Sequence, residues 1–351
     1  MMKILCIANP KAYQQAITDV PLSYARLAAH PDVELYHAET ETMMDSGKSI
    51  KAVPVHAGFM PDEFGKLSGR ETVKREADDF DIAFCRTLKP FPSGYLDRLT
   101  QWSRYVPFVN DPSGIARQLD VGFLLKAADQ YTPPVVVTSE QDIAQRFLNE
   151  HGTMVVKQSN SCGGRGVYKV SRDSKDGFVT DNVMEGSRTF YSFSGMFLYV
   201  TKGSSEPVLL MSYLPRVTEG DRRLVVMDGE IFGTYIRRSK SGHWVQNVSF
   251  GSTCDLMPVT EEDRLLVEAT APYYQQAGIR LLGYDLLLDD NGTWKISEIN
   301  AGNIGGLFRL EYLGVKGVSD RFIDKLRAKD ENRKATLFSN RKKAGTTVHV
   351  R

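Results

Sequence analysis

Asp285, Glu298 and Asn300 are spaced so that one hairpin would bring them together. Asn291-Gly292 between two apolar runs is a strong two-residue turn signal. A turn there pairs Asp290 with Thr293, Leu287 with Ile296 and Asp285 with Glu298. Period-two alternation puts Asn300 on the face of Glu298, so two carboxylates and an amide converge at the open end of the ribbon. Like charges directly opposite each other destabilise a sheet. A hard cation removes that cost, and Mg²⁺ takes one or two carboxylates while substrate phosphates complete its shell. The alternative is a solvated acidic ribbon, since Asp and Glu are common on exposed faces.

The cations suited to such phosphates lie earlier. Lys157 ends the apolar strand 154–158, just before the loop 159–166 with Ser161, Gly163, Gly164 and Gly166. Backbone N–H groups freed of side chains make an anion nest, and glycines let a loop fold over phosphates. An ordinary hairpin tip is the alternative, against which the lone cation of Lys157 weighs. Neither a Walker loop nor Gly-x-Gly-x-x-Gly occurs. A second hairpin, 221–238, turns at Asp228-Gly229 and pairs Met227 with Glu230 and Arg223 with Thr234. That register puts Asp221, Arg223 and Arg238 on one face with Val225, Met227, Phe232 and Ile236, and turns Arg222 and Arg237 to the other. Two arginines on a largely apolar face need anionic partners. A phosphate or carboxylate substrate supplies them, or Asp221 alone does so in a buried pair. Arg86, just past the expected strand 81–85, stands at a strand end where α/β sheets bind ligands, or is a surface or capping cation.

The elements that must position these groups fit a chain of 351 residues, long enough for two or three lobes. Hydrophobic content of 42% with 25% charged residues is that of a soluble globular protein, and no run is long enough to span a membrane. Net charge of +1 argues against a broad nucleic-acid surface. Cys6, Cys85, Cys162 and Cys254 are scattered, so neither a zinc site nor a disulfide framework is expected, and the start lacks signal-peptide features. A reduced, cytoplasmic setting follows. Strand-like and helix-like stretches alternate in the first hundred residues (strands 3–8, 33–36 and 81–85, helices 22–29 and 69–79), which is an open α/β lobe. A second lobe opens near Val109, with helix 115–129, strand 135–138, helix 140–151, strand 154–158 and a strand at 196–201. Strand 208–214, the two hairpins and a helix over 261–278 capped by Thr260 follow, and a helix over 321–329 closes the fold.

Arranged as Asn-x-Pro before a helix, Lys157 before Gly-Gly-Arg-Gly, Gly-Asp-x-Arg opening a hairpin, and Asp285 followed by Glu298-Ile-Asn300, the chain resembles ATP-grasp ligases, most closely prokaryotic glutathione synthetase. The resemblance runs from about residue 81 to 322. It implies an α/β fold of the α+β ATP-grasp kind: an N-terminal open α/β lobe (1–110), then a central lid lobe (111–207) and a C-terminal lobe with the metal site (208–330) that clasp ATP; beyond it, the cations within 332–334 and 341–343 make 331–351 a basic tail. By motif position Lys157 holds the nucleotide phosphates, the loop with Ser161, Gly163, Gly164 and Gly166 is the lid, and Tyr213, Leu214 and Asp221 belong to the nucleotide site. Asp285, Glu298 and Asn300 bind Mg²⁺. Arg223 and Arg238 hold the transferring phosphate with Asn247 beside it, while Arg86, Gly305 and Gly306 serve the substrates. The family's Asp-Lys after Asn-x-Pro is Asp120-Val121 here, leaving Arg117, one turn earlier, to replace the lysine. Its Ser-Pro-Thr after the last metal ligand is Ala301-Gly-Asn-Ile304. The implied activity is ATP-dependent carboxylate–amine ligation through an acyl phosphate on small carboxylate and amine substrates, an amino acid or short peptide, by a homo-oligomer. The rival readings are a non-catalytic ATP-binding regulator and a ligase acting on a peptide or protein terminus.

Overall fold

The computed structural model describes residues 1–13, 19–159, 164–174, 176–240, 243–245 and 252–328. The chain forms two compact units, one of residues 1–86, 98–109 and those from 307 onward, the other of 87–97 and 110–306. Among the described residues no helix is long and apolar enough to cross a membrane.

In the first unit, β1 (Met2–Ala8), β2 (Val33–Glu39), β3 (Ser49–Val55), β4 (Val73–Glu76) and β5 (Ile82–Cys85) form a sheet of order β4-β3-β2-β1-β5. β1 runs parallel to β2 and β5, and Ile4 to Ala8 are fully buried, as a strand covered on both faces requires. The stretch 69–79 is not the expected helix but contains β4 and the short turn Ala77–Asp79. Its Lys74, Arg75 and Glu76 sit on an edge strand, where charges discourage further pairing.

The second unit holds two antiparallel sheets. β6 (Val135–Thr138), β7 (Thr153–Lys157), β8 (Val167–Arg172), β9 (Phe178–Asn182), β10 (Gly186–Phe190) and β11 (Val208–Ser212) have the order β10-β9-β8-β7-β11-β6. β11, expected to open the last lobe, instead lies hydrogen-bonded between β6 and β7. β12 (Asp221–Met227), β13 (Glu230–Arg238), β14 (Thr253–Met257), β15 (Leu281–Leu288) and β16 (Trp294–Asn300) have the order β14-β13-β12-β15-β16. From Leu307 the chain returns to the first unit and is helical over 318–328, so the expected boundary at 330 falls instead at 306.

Two local expectations fail for physical reasons. The stretch 196–201 belongs to a helix, Phe193–Val200, whose Ser192 side chain accepts from Gly195 N at 3.2 Å. Phe193, Met196, Phe197 and Val200 share its buried face, a 3.6-residue period hidden in an apolar run. The helix 115–129 is two helices, Pro112–Gln118 and Phe123–Ala128, separated where Asp120 Oδ1 accepts from Gly122 N at 2.9 Å.

Asn110 fixes the first of these helices to the second sheet. Its Nδ2 donates to the carbonyls of Leu281 and Ala301, each at 2.7 Å, and its Oδ1 accepts from the N–H groups of Arg280 and Leu281 at 2.9 and 2.8 Å. The helix then lies so close that a Cβ on Gly114 would stand 2.1 Å from Ala277 O, which is why this position is glycine.

Candidate active site

The β12–β13 hairpin turns at Asp228-Gly229 and pairs Met227 with Glu230, as its sequence predicts. A bulge then intervenes. Val226 pairs with Ile231 but Val225 with Gly233, leaving Phe232 as an extra residue on β13. Below it Arg223 faces Tyr235 rather than Thr234, and every later side chain of β13 changes face. Arg237, not Arg238, therefore shares a face with Asp221 and Arg223. Arg238 is exposed and donates to Asp255 at 3.0 Å and to Glu219 O at 3.1 Å. Its expected place over the reacting phosphate is corrected on that ground.

The β15–β16 hairpin reaches its expected pairing by an unexpected route. Its turn is longer than two residues: Asp289 N donates to Thr293 O at 2.9 Å, and Asp289 Oδ1 accepts from the N–H groups of Asn291 and Thr293. Leu287 consequently pairs with Lys295 and Leu286 with Ile296. A bulge at Ser297 restores the count, so that Asp285 faces Glu298 and Gly283 faces Asn300.

Asp285 is the centre of the charge arrangement. It accepts from Arg223 Nε at 2.5 Å and Nη2 at 2.9 Å, from Arg237 Nη2 at 2.8 Å and from Asn300 Nδ2 at 3.0 Å. Burial alone would raise its carboxyl, but the two guanidiniums outweigh burial and hold it below the usual carboxylate range. Asp221 pairs with Arg237 through Oδ2, while its buried Oδ1 has no hydrogen-bond partner among the described residues. Burial pushes the Asp221 carboxyl up to about 6 against the pull of Arg237. Lys157 Nζ donates to Ser297 O at 2.6 Å and Ser297 Oγ at 2.9 Å. Burial lowers this ammonium, opposed by the carboxylates of Glu298, Asp285 and Asp221.

These groups line one cleft of about 350 Å³, with Gly164, Tyr213, Leu214, Glu298 and Asn300 also on its walls. Gly166 closes the loop's exit, its carbonyl accepting from Gln158 N at 2.9 Å. Asn182 Nδ2, which sequence reasoning passed over, donates to the carbonyls of Gly164, Arg165 and Val167 and so fixes the end of that loop. Arg117 is exposed and does not line the cleft. Gln118 beside it does, donating from Nε2 to Ile299 O at 3.1 Å. Gly305 O accepts from Arg223 Nη1 at 2.6 Å. Gly306, at φ +117°, passes so close that a Cβ would stand 2.8 Å from Tyr235 Oη. Arg86 belongs to the other unit, buried with Asp19 at 2.9 Å. Ser161, Gly163 and Asn247 lie outside the described residues. Arg237 and Ser297 were missed because both reach the cleft only through a bulge. Trp244, which donates to Asp181 at 2.7 Å and lines the cleft, had no signal in an irregular segment.

The acceptors left at the open end of β15–β16 are hard oxygens, the Glu298 carboxylate and the Asn300 amide, since both oxygens of Asp285, the third expected ligand, already take four hydrogen bonds. The Glu298 side chain is exposed and makes no hydrogen bond or ion pair among the described residues, and the Asn300 side chain spends only its Nδ2 on Asp285. Such oxygens fit a hard divalent cation. The neighbouring cations and the glycine-bearing loop fit a polyphosphate.

The family model of the prokaryotic glutathione synthetase ATP-grasp domain matches residues 123–313. Among sequence relatives, the glutathione synthetase of Prochlorococcus marinus is 22% identical over 93% of this chain and 99% of its own. That of Bradyrhizobium diazoefficiens is 25% identical over 79% and 82%. Among solved structures, D-alanyl-alanine synthetase A from Vibrio cholerae aligns with a TM-score of 0.61 at 13% identity over 94% of this chain and 99% of its own. D-cycloserine synthetase aligns at 0.58 and 15% over 92% and 99%. Likeness at that identity speaks for the fold, and the matched family model speaks for the lineage. The chain belongs to the prokaryotic glutathione synthetase ATP-grasp family and is an ATP-dependent carboxylate–amine ligase.

Proposed function

We propose that the cleft binds MgATP, with a small carboxylate and an amino acid or short peptide as acceptor, and joins them through an acyl phosphate. The carboxylate oxygen attacks the γ-phosphorus and the bond to the β-phosphate oxygen breaks, releasing ADP. The amine then attacks the acyl carbon, phosphate leaves, and the ammonium proton passes to solvent or phosphate. No enzyme nucleophile is needed, so catalysis rests on positioning and charge. The observation that carries this reading is the pair of buried guanidiniums, Arg223 and Arg237, held over one wall of the cleft by Asp285.

Asp285 orients both arginines with fixed hydrogen bonds, so they meet charge developing on the transferring phosphoryl group without reorganising. Lys157 and the loop ending at Gly164 and Gly166 bind the polyphosphate, and Tyr213 and Leu214 wall the nucleotide. The Glu298 carboxylate and the Asn300 amide oxygen would hold Mg²⁺, which when bound neutralises phosphate charge, while both oxygens of Asp285 are committed to Arg223, Arg237 and the Asn300 amide nitrogen. Gly305 presents its carbonyl to Arg223, while Gly306 packs against Tyr235 and Val225 and does not line the cleft.

The test is ATP-dependent phosphate release measured with single amino acids and with short peptides as acceptors. Release that requires both a carboxylate and an amine, with an amide product by mass spectrometry, is the expected outcome. Release only with a protein or long-peptide terminus would move the substrate class. ATP binding with no release under any acceptor would make the chain a regulator.

A further inference from the structure

The β-bulge in β16 does more than restore the pairing of Asp285 with Glu298. A bulged residue is left out of the ladder, so its carbonyl has no strand partner. At Ser297 that carbonyl is turned to Lys157 and accepts from Nζ at 2.6 Å, and the same residue's Oγ accepts from Nζ at 2.9 Å. Two of the ammonium's three N–H donors are thus held by one residue 140 positions away in sequence. Both acceptors are neutral. The carboxylates that face this lysine, Glu298, Asp285 and Asp221, act on it only through space, and Asp285 and Asp221 are themselves paired with Arg223 and Arg237.

We infer that Ser297 is a positioning residue for ATP: its bulged carbonyl and hydroxyl aim the Lys157 ammonium into the cleft while leaving its charge for the polyphosphate. A lysine on a four-carbon stem is otherwise a mobile point charge, and ordering it on binding costs rotamer entropy. A carboxylate in the place of Ser297 would orient the lysine equally well but neutralise it. The inference rests on the reading of Lys157 as a phosphate ligand, and the experiment separates the two.

Ser297→Ala removes one charge-assisted hydrogen bond and keeps the carbonyl. It should raise the ATP Kd and KM about tenfold, with kcat changed by less than about threefold. Ser297→Thr, which keeps the hydroxyl, should restore ATP affinity, and Ser297→Cys should fall between. In a Lys157→Ala background the loss caused by Ser297→Ala should vanish, because the group it positions is gone. Calorimetric ATP affinity and melting temperature are measured on every variant. A Ser297→Ala protein with lowered melting temperature but unchanged ATP affinity overturns the positioning role while leaving Lys157 as a ligand. Unchanged affinity in Lys157→Ala overturns both. Tighter ATP binding in Ser297→Ala would mean that the serine holds the lysine away from the nucleotide, and also overturns the inference.

Discussion

Neighbouring arginines in β13 do different things because an inserted residue separates their faces. Arg237→Met should lower kcat about 100-fold with ATP affinity nearly unchanged, since the charge it meets develops in the transfer step. It should also lower the melting temperature, because Asp221 loses its partner while buried. Arg238→Met, which breaks an exposed pair with Asp255 and a bond to Glu219 O, should leave turnover within about twofold. Turnover, ATP affinity and melting temperature measured on both variants decide the assignment, and equal kcat losses would sink it. Asp221 gives a second residue-scale prediction. Its folded carboxyl keeps its proton up to about pH 6, whereas its ordinary value is 3.8, so its contribution to stability is full below 3.8 and is lost as pH rises through 6. Urea unfolding from pH 4 to 7 should show wild type losing stability relative to Asp221→Asn, by on the order of 3 kcal/mol at most. A difference independent of pH would mean that Asp221 titrates normally.

Two tight junctions hold the second sheet to the helix that opens the unit and to the chain that leaves it. Asn110 supplies hydrogen bonds to three backbone groups of Arg280 and Leu281 and to Ala301 O, and replacing it with Ala leaves those groups unpaired in a buried place. Asn110→Ala should cost about 3 kcal/mol, measured by urea unfolding, whereas a surface asparagine costs well under 1. The bulge at Ser297 is an element-scale device as well: deleting the residue would keep Leu286 paired with Ile296 and Asp285 with Glu298, and would remove only the carbonyl and hydroxyl that hold Lys157.

For the whole molecule, ligand binding to the folded state should raise stability by mass action. MgATP at about 100 times its Kd should add about 2.7 kcal/mol, visible as a higher melting temperature. Glu298→Gln should remove most of the magnesium-dependent part of that shift while leaving the shift with ATP and EDTA nearly intact. Removing Mg²⁺ from the wild type should reproduce the variant. A full MgATP shift in Glu298→Gln would take the exposed carboxylate out of the metal site.

How far the sequence reaches can be read from the same residues. Asn291-Gly292 and Asp228-Gly229 announce their hairpins, Thr260 its helix, and the lysine, glycines, Asp285, Glu298 and Asn300 the ligase family, because turn chemistry, caps and reactive side chains are local. Faces and partners are not. On β13 Ile231, Phe232, Tyr235 and Ile236 are apolar on both faces, so alternation does not mark the extra residue that brings Arg237 inward. On β16 the longer turn and the bulge at Ser297 cancel, so the Asp285–Glu298 pairing follows even though the turn-side register does not. Whether 196–201 is helix or strand is undecided by an all-apolar run, and the sheet and helix packed around Met196 and Phe197 settle it. The sequence by itself determined the chemistry, through residue types at fixed spacing. The tertiary structure alone decided which arginine shares a buried face with Asp221 and Arg223 and which serine accepts from the lysine, because a single inserted residue changes a strand's faces while leaving its composition and hydrophobic pattern almost unmarked.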